Sequence, residues 1–248
     1  MKTFFTLWRR ELGAYFLSPI AYVMMIFFLL IMGCGFAIIM AALTGEGTAG
    51  APVMRLLFDS FFFWMPTLML APVLTMRLFA EEKRSGTIET LMTAPVTDPA
   101  VVLAKYAGAL SFYAVIWAPT AAYVFILRVF SPATPVDLGP IAGGYLGALL
   151  IGGFYLAIGL FCSALTRNQI VAAIVCFALV CVAFFSGFLG YILRDEAARN
   201  AAQYFSSLAH MRDFARGVVD TRPVVFYLSG AALMLFATVK IVEARKWK

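Results

Sequence analysis

Charged residues are scarce in this sequence: Asp, Glu, Lys and Arg make up 13% of its 248 positions, about half of their share in soluble globular proteins. Hydrophobic residues supply 63%, which is more apolar surface than a soluble core of this length can bury. A bilayer can accept that surface, because one spanning helix needs about 20 largely apolar residues. The composition therefore predicts an all-α membrane protein with about six transmembrane helices, in a single domain over residues 1–248.

Catalytic and metal-binding motifs are also missing. Histidine occurs once, at His210, which excludes H-E-x-x-H and histidine-cluster metal sites. The sequence has no G-x-x-x-x-G-K-[ST], so it cannot hold ATP in a P-loop of its own. An intramembrane serine protease site at Ser186-Gly187 is disfavoured, because Phe184 replaces the leading glycine of that motif, and we expect His210 to be an ordinary surface or interfacial residue. We predict no catalytic residue, no metal site and no cofactor in this chain.

The predicted spans contain no acidic residue near their middle. Acidic side chains there are costly and usually functional, as in ion-coupled transport, so their absence disfavours a proton- or sodium-driven carrier. The first apolar run is longer than the core of a signal peptide and is retained as a span. The six predicted spans cover residues 20–43, 58–79, 102–130, 141–165, 170–193 and 223–242.

The first 19 residues predict a basic amphipathic helix that lies in the headgroup layer. Trp8, Leu12 and Tyr15 are among the apolar residues at helical spacing, and the other faces carry charge. Ser18-Pro19 ends the helix; a plain extension of the first span is the alternative. The residues that we assign to the interfacial helix site are Trp8, Arg9, Arg10 and Glu11.

Most of the 19 Lys and Arg residues fall on the side of the membrane that holds the N-terminus. The positive-inside rule then places both termini in the cytoplasm. Residues 81–99 become a cytoplasmic connection, and residues 194–222 become an extracytoplasmic segment in which Leu208, Met211 and Val218 predict a short amphipathic helix. The basic residues cluster at span ends, as topology requires, so the net charge of +6 does not indicate a nucleic-acid partner.

Small residues repeat at every fourth position where the fourth span begins. Gly139, Gly143 and Gly147 form a face that allows another helix to approach closely. Two partners remain open: a helix of the same chain, or a second copy of the protein.

The cytoplasmic connection reads EEKRSGTIETLMTAPVTD over residues 81–98. Gly86 is expected to be the N-cap of a short helix, with Glu89 near its positive end. Ile88, Leu91 and Met92 share one face, and the helix ends before Pro95. Its apolar face has nothing to cover except the membrane surface or a partner protein.

This string resembles the signature of type-2 ABC transporter permeases, and especially the subgroup that is similar to gliding-motility-associated permeases. The shared pattern is E-E-x-x-x-G-T-x-E-x-L-x-x-x-P-V, which is long and specific. A second stretch, residues 216–222 with Arg216, Asp220 and Arg222, also resembles that subgroup. The likeness extends over essentially the whole chain.

The resemblance implies a permease subunit in a bacterial inner membrane that exports a substrate. A separate cytoplasmic ABC ATPase subunit would bind ATP and Mg, and a second permease subunit, identical or related, would complete the transporter among membrane lipids. The connection would be a coupling helix that continues rigidly into the second span and contacts the ATPase. The implied contact residues are Glu81, Glu82, Lys83, Arg84, Gly86, Thr87, Ile88, Glu89, Leu91, Met92 and Pro95. The alternative is an ATPase-driven scaffold, in gliding or envelope machinery, that moves no solute.

Overall fold

The computed structural model describes residues 2–45, 53–87, 96–130, 137–192, 195, 199 and 203–244. Within these residues every regular element is a helix and none is a strand. The elements are α1 (Lys2–Phe16), α2 (Pro19–Gly45), α3 (Val53–Asp59), α4 (Phe61–Thr75), α5 (Ala80–Ser85), α6 (Asp98–Trp117), a 3-10 turn (Ala118–Ala121), α7 (Ala122–Phe130), α8 (Leu138–Leu165), α9 (Gln169–Ile192), α10 (Ser207–Ala215) and α11 (Thr221–Ala244).

Six helical stretches are long and apolar enough to cross a membrane, which confirms the predicted all-α fold. They are Pro19–Leu43, Phe61–Ser85, Asp98–Val129, Leu138–Leu165, Gln169–Phe188 and Thr221–Ala244. The second span consists of α4 and α5, and the third contains α6 and α7. The chain is therefore a multi-pass membrane protein.

The span limits differ from the predicted ones by up to six residues, and the local structure explains two of the shifted starts. The second span begins at Phe61 instead of residue 58, because the Ser60 hydroxyl donates to the Leu57 carbonyl (2.7 Å) and closes the separate helix α3. The third span begins at Asp98 instead of residue 102, where Pro99 occupies the first turn, a position in which the missing N–H of proline costs nothing.

The fourth span, α8, is the centre of the bundle. In the most apolar 18-residue stretch of α8, 72% of the residues are buried within the protein. The corresponding shares are 22% for the first span and 17% for the sixth. The outer spans therefore present most of their apolar side chains to the surroundings, as lipid-facing helices do.

The glycine face of α8 packs against α10 of the same chain. A Cβ atom added at Gly147 would lie 2.8 Å from Cδ2 of Phe214 and 3.0 Å from Sδ of Met211, and one added at Gly143 would overlap the Phe214 carbonyl oxygen. Gly139 is less crowded, since its Cβ would lie 3.3 Å from Oδ1 of Asp137. The chain itself thus covers Gly143 and Gly147.

The amphipathic helix expected in the segment before the last span is present as α10, but the expectation for His210 is wrong. His210 is only 8% exposed, and its Nδ1 lies 3.0 Å from the Tyr227 hydroxyl. It falls on the same helical face as the buried Met211 and Phe214, so packing against α11 removes it from the surface. Burial lowers the pKa of His210, and the nearby carboxylates of Asp213 and Asp220 oppose that shift.

Candidate coupling site

The second span is interrupted near its C-terminal end. Residues 76–79 form a turn between α4 and α5, and the hydroxyl of Ser163 in α8 enters this gap. It accepts hydrogen bonds from the backbone N–H groups of Phe79 (3.0 Å) and Ala80 (3.1 Å), and it donates to the Met76 carbonyl (3.1 Å). A side chain inserted into the helical ladder is a recognised cause of a helix break. The second span therefore reaches the connection through a turn and not as one uninterrupted helix.

The same break releases a carbonyl group that α1 then binds. The N–H of Leu78 donates to Thr75 instead of to Leu74, as a regular α-helix would require. The Leu74 carbonyl accepts a 2.7 Å hydrogen bond from the Tyr15 hydroxyl of α1. Burial raises the pKa of Tyr15, which keeps its hydroxyl protonated as a donor.

An ionic cluster joins α1, α5 and α6 beside this break. The ammonium group of Lys105 lies 2.6 Å from Oε1 of Glu82 and 3.3 Å from Oε2 of Glu11. Arg10 pairs with Glu11 at 2.8 Å and lies 3.9 Å from Glu82. Lys105 is only 2% exposed, and buried cations of this kind are retained only with charged partners. We call Arg10, Glu11, Glu82 and Lys105 the ionic cluster.

Further contacts attach α1 and α5 to the spans. The Trp8 indole N–H donates to the Ser111 hydroxyl of α6 (3.1 Å), and Arg77 donates to the Ser18 hydroxyl (2.9 Å). The ammonium group of Lys83, which is 6% exposed, donates to the Ala164 carbonyl at the end of α8. These contacts converge on one end of the bundle. Because successive spans alternate in direction, this end holds the start of the first span, the end of the second and the start of the third.

One family model matches this chain: the ABC-2 family transporter protein model, over residues 52–212. The match covers more than half of the 248 residues and extends from just before α3 into α10. The chain belongs to the ABC-2 transporter family. It has no match among curated proteins.

The ABC-2 family consists of membrane subunits that generally work with an ATPase subunit, and the residues expected to contact that subunit fall into three groups. Glu81, Arg84, Gly86 and Thr87 are exposed, whereas Lys83 is buried and Glu82 belongs to the ionic cluster. The remaining residues lie outside the described part of the chain: Ile88, Glu89, Leu91, Met92 and Pro95.

Gly86 has a different local role from the expected one. Its φ of +75° places it in the left-handed region, where it is the C-cap of α5, not an N-cap. Glycine adopts this conformation without the strain that a Cβ atom brings, and helices commonly end in this way. The helix predicted after Gly86 falls mainly outside the described residues.

The predicted residues of the segment before the last span lie apart from the ionic cluster. Arg216 is exposed and 3.9 Å from Asp213, and Oδ1 of Asp220 accepts a hydrogen bond from the Arg222 backbone N–H (3.0 Å) at the start of α11. In this permease these residues shape a helix start and a turn.

Sequence reasoning missed three members of the site. Lys105 entered only as a charge at a span end, Tyr15 only as an apolar position, and Ser163 not at all. The available signals were weak: one lysine and one serine within otherwise apolar runs of the sequence.

Proposed function

We propose that this ABC-2 permease is the transmembrane subunit of an ATP-driven exporter, and that residues 81–99 couple it to a separate ABC ATPase subunit. The ionic cluster is the observation that carries the proposal. It ties α5, the last helix of the second span, to α1 and α6 through buried charges, and burying charges costs several kcal/mol per ion unless they are well paired.

The contacts of α5 support force transfer from the connection to three spans. Glu82 reaches the third span through Lys105, and Lys83 and the backbone of Phe79 reach the fourth through Ala164 and Ser163. A push on the exposed residues Arg84 and Thr87 would therefore move the end of the bundle and not only the second span. In this proposal Lys83 positions α5, and the ATPase contacts come from its exposed neighbours and from Ile88, Glu89, Leu91, Met92 and Pro95.

The arrangement that we propose in the membrane rests on the positive-inside rule and on the family resemblance. The ionic cluster faces the cytoplasm, both termini are cytoplasmic, and the protein lies in a bacterial inner membrane. Two permease subunits, identical or related, pair with two ATPase subunits that bind ATP and Mg. The signature of residues 81–98 and the stretch 216–222 support placement in the subgroup that is similar to gliding-motility permeases.

The coupling proposal is tested at Gly86, whose backbone conformation is specific and whose surroundings are open. No atom lies within 4 Å of a Cβ added there, so a substitution alters the chain direction without a clash. A left-handed conformation costs a β-branched residue about 1–2 kcal/mol, whereas asparagine tolerates it. The variants are measured in the complex isolated with its native ATPase. The rate of permease-dependent ATP hydrolysis should fall about fivefold to thirtyfold in Gly86→Val and should change little in Gly86→Asn.

Gly13→Val is the matched control, because Gly13 also has no atom within 4 Å of an added Cβ and has no positive φ. Its ATP hydrolysis should stay close to that of the natural protein. Failure of an ATPase subunit to co-purify, or equal activity of Gly86→Val and Gly13→Val, would refute the coupling role. ATP hydrolysis by reconstituted complex without accumulation of any lipid or solute in the vesicles would instead favour a scaffold that moves no cargo.

A further inference from the structure

A cavity of about 390 Å³ lies between α1, the start of α2 and the end of the second span. Its volume is within the range of ligand sites in proteins, about 300–1,000 Å³. Its lining includes Ile20, which is 42% exposed and lies on a span that the bilayer must cover. Its occupant therefore comes from the lipid phase as readily as from water.

One wall of the cavity carries charges of both signs in equal number. The cations are Arg10, Arg77 and Lys105, and the anions are Glu11, Glu81 and Glu82. Lys105 and Glu11 are almost enclosed, with side chains 2% and 10% exposed. Lys105 pairs with Glu82 and Glu11, and Glu11 also pairs with Arg10. The more exposed groups are Arg10 (55%), Arg77 (35%) and Glu81 (48%), and Arg77 and Glu81 pair with each other at 3.0 Å, so a bound headgroup exchanges with this exposed pair.

Most of the remaining lining is apolar and comes from the first and second spans; we call this part the apolar wall. Its side chains are those of Ile20, Met24, Val73, Leu74 and Leu78. A charged wall that meets an apolar wall at the end of a membrane span reproduces the division of a phospholipid into headgroup and acyl chains. A whole phospholipid exceeds the cavity, so its chains would leave along the exposed side of α2.

We infer that this cavity binds a zwitterionic phospholipid with a primary ammonium group, of the phosphatidylethanolamine type. The guanidinium groups of Arg10 and Arg77 face the phosphate, because guanidinium matches phosphate oxygens geometrically. The ammonium group donates to the carboxylate of Glu81. A trimethylammonium group has no N–H to donate, and an anionic headgroup would add net negative charge to a lining whose three cations and three anions already balance.

Native mass spectrometry of the purified permease with its ATPase tests the inference. The complex is offered equimolar phosphatidylethanolamine, phosphatidylcholine and phosphatidylglycerol with identical chains, and the retained lipid is counted. The phosphatidylethanolamine form should be retained about tenfold more than either other lipid, which is the effect of one hydrogen bond to a charged group. Equal retention of phosphatidylcholine, or preference for phosphatidylglycerol, would overturn the inference.

Two variant pairs locate the site. Glu81→Gln should abolish the preference for the primary ammonium, whereas Glu243→Gln, which removes another exposed carboxylate paired within its own helix, should keep it. Ala14→Trp should fill the cavity and reduce retention of every lipid, whereas Ala232→Trp, at an exposed position elsewhere in the sixth span, should not. Equal behaviour within either pair places the bound lipid elsewhere and rejects the site.

A soluble headgroup separates a lipid site from a simple phosphate site. Phosphoethanolamine lacks the glycerol and acyl chains that the apolar wall would cover, so it should not displace the retained lipid at the same concentration. Displacement would show that the apolar wall has no role and would contradict the assignment to a phospholipid.

Discussion

Replacement of Lys105 by methionine tests the ionic cluster most directly. In the natural protein the ammonium group lies 2.6 Å from Glu82 and 3.3 Å from Glu11. Lys105→Met keeps the length and apolar stem of the side chain but leaves two carboxylates with Arg10 alone. Arg10 is 2.8 Å from Glu11 but 3.9 Å from Glu82, and its side chain is 55% exposed, so it compensates only in part. Removal of one partner from a buried charge pair costs about 3–5 kcal/mol.

Thermal unfolding in detergent measures this loss. For a chain of this size 1 kcal/mol corresponds to about 2–4 °C, so Lys105→Met should lower Tm by about 10 °C. The matched control is Lys240→Met, which breaks the exposed pair with Glu243 at 2.7 Å; such surface pairs contribute about 0–1 kcal/mol.

A triple variant separates charge from packing. Glu11→Gln and Glu82→Gln added to Lys105→Met remove every charge that lost its partner, and most of the lost Tm should return, as when a buried ion group is replaced as a whole. A triple variant as unstable as the single one, or equal shifts for Lys105→Met and Lys240→Met, would refute the account of the cluster.

Two further predictions concern groups buried in the bundle. Ser163→Ala removes the acceptor for the amides of Phe79 and Ala80 and should destabilise the protein by about 2 kcal/mol, with faster hydrogen exchange at those two amides; Ser229→Ala, which removes an exposed hydroxyl, should leave both unchanged. Because burial lowers the pKa of His210 below its unfolded value of about 6.5, the unfolded chain takes up the proton more readily and stability should fall as pH drops below that value. The Tm of His210→Gln should vary less between pH 7 and 5, and an unchanged slope would contradict the burial argument.

The spans could be predicted because a membrane helix is encoded locally. Runs of about 20 apolar residues have few other stable arrangements, and the six predicted runs differ from the observed helices only at their ends. Those ends depend on single side chains: Ser60 closes α3 and moves the start of the second span to Phe61. One serine changes the mean hydropathy of the surrounding stretch of about 20 residues too little for the end of a helix to be predicted from it.

The candidate site was only half predictable, because its contacts join distant parts of the chain. The segment after residue 81 carries a recognisable signature, but the partner of Glu82 lies 23 residues away and that of Phe79 lies 84 residues away. Periodicity cannot show that Lys83 faces Ala164 while Arg84 faces outward, since that depends on how α5 is rotated against α8. Gly86 was recognised as a boundary, but whether a glycine ends one helix or begins the next depends on the sign of φ.

The interruption of the second span determines where that span can bend. The stretch that begins at Leu74 is bound to α1 through Tyr15 and to α8 through Ser163, so displacing it alone would expose amide and carbonyl groups at about 1–3 kcal/mol each. Next to this stretch, α4 already lacks backbone hydrogen bonds. Pro66 and Pro72 lie inside that helix, and a proline has no N–H to donate to the carbonyl four residues earlier. Deformation is thereby directed away from the junction and into the apolar middle of the span, and α1, α5 and the adjoining end of α8 travel as one body.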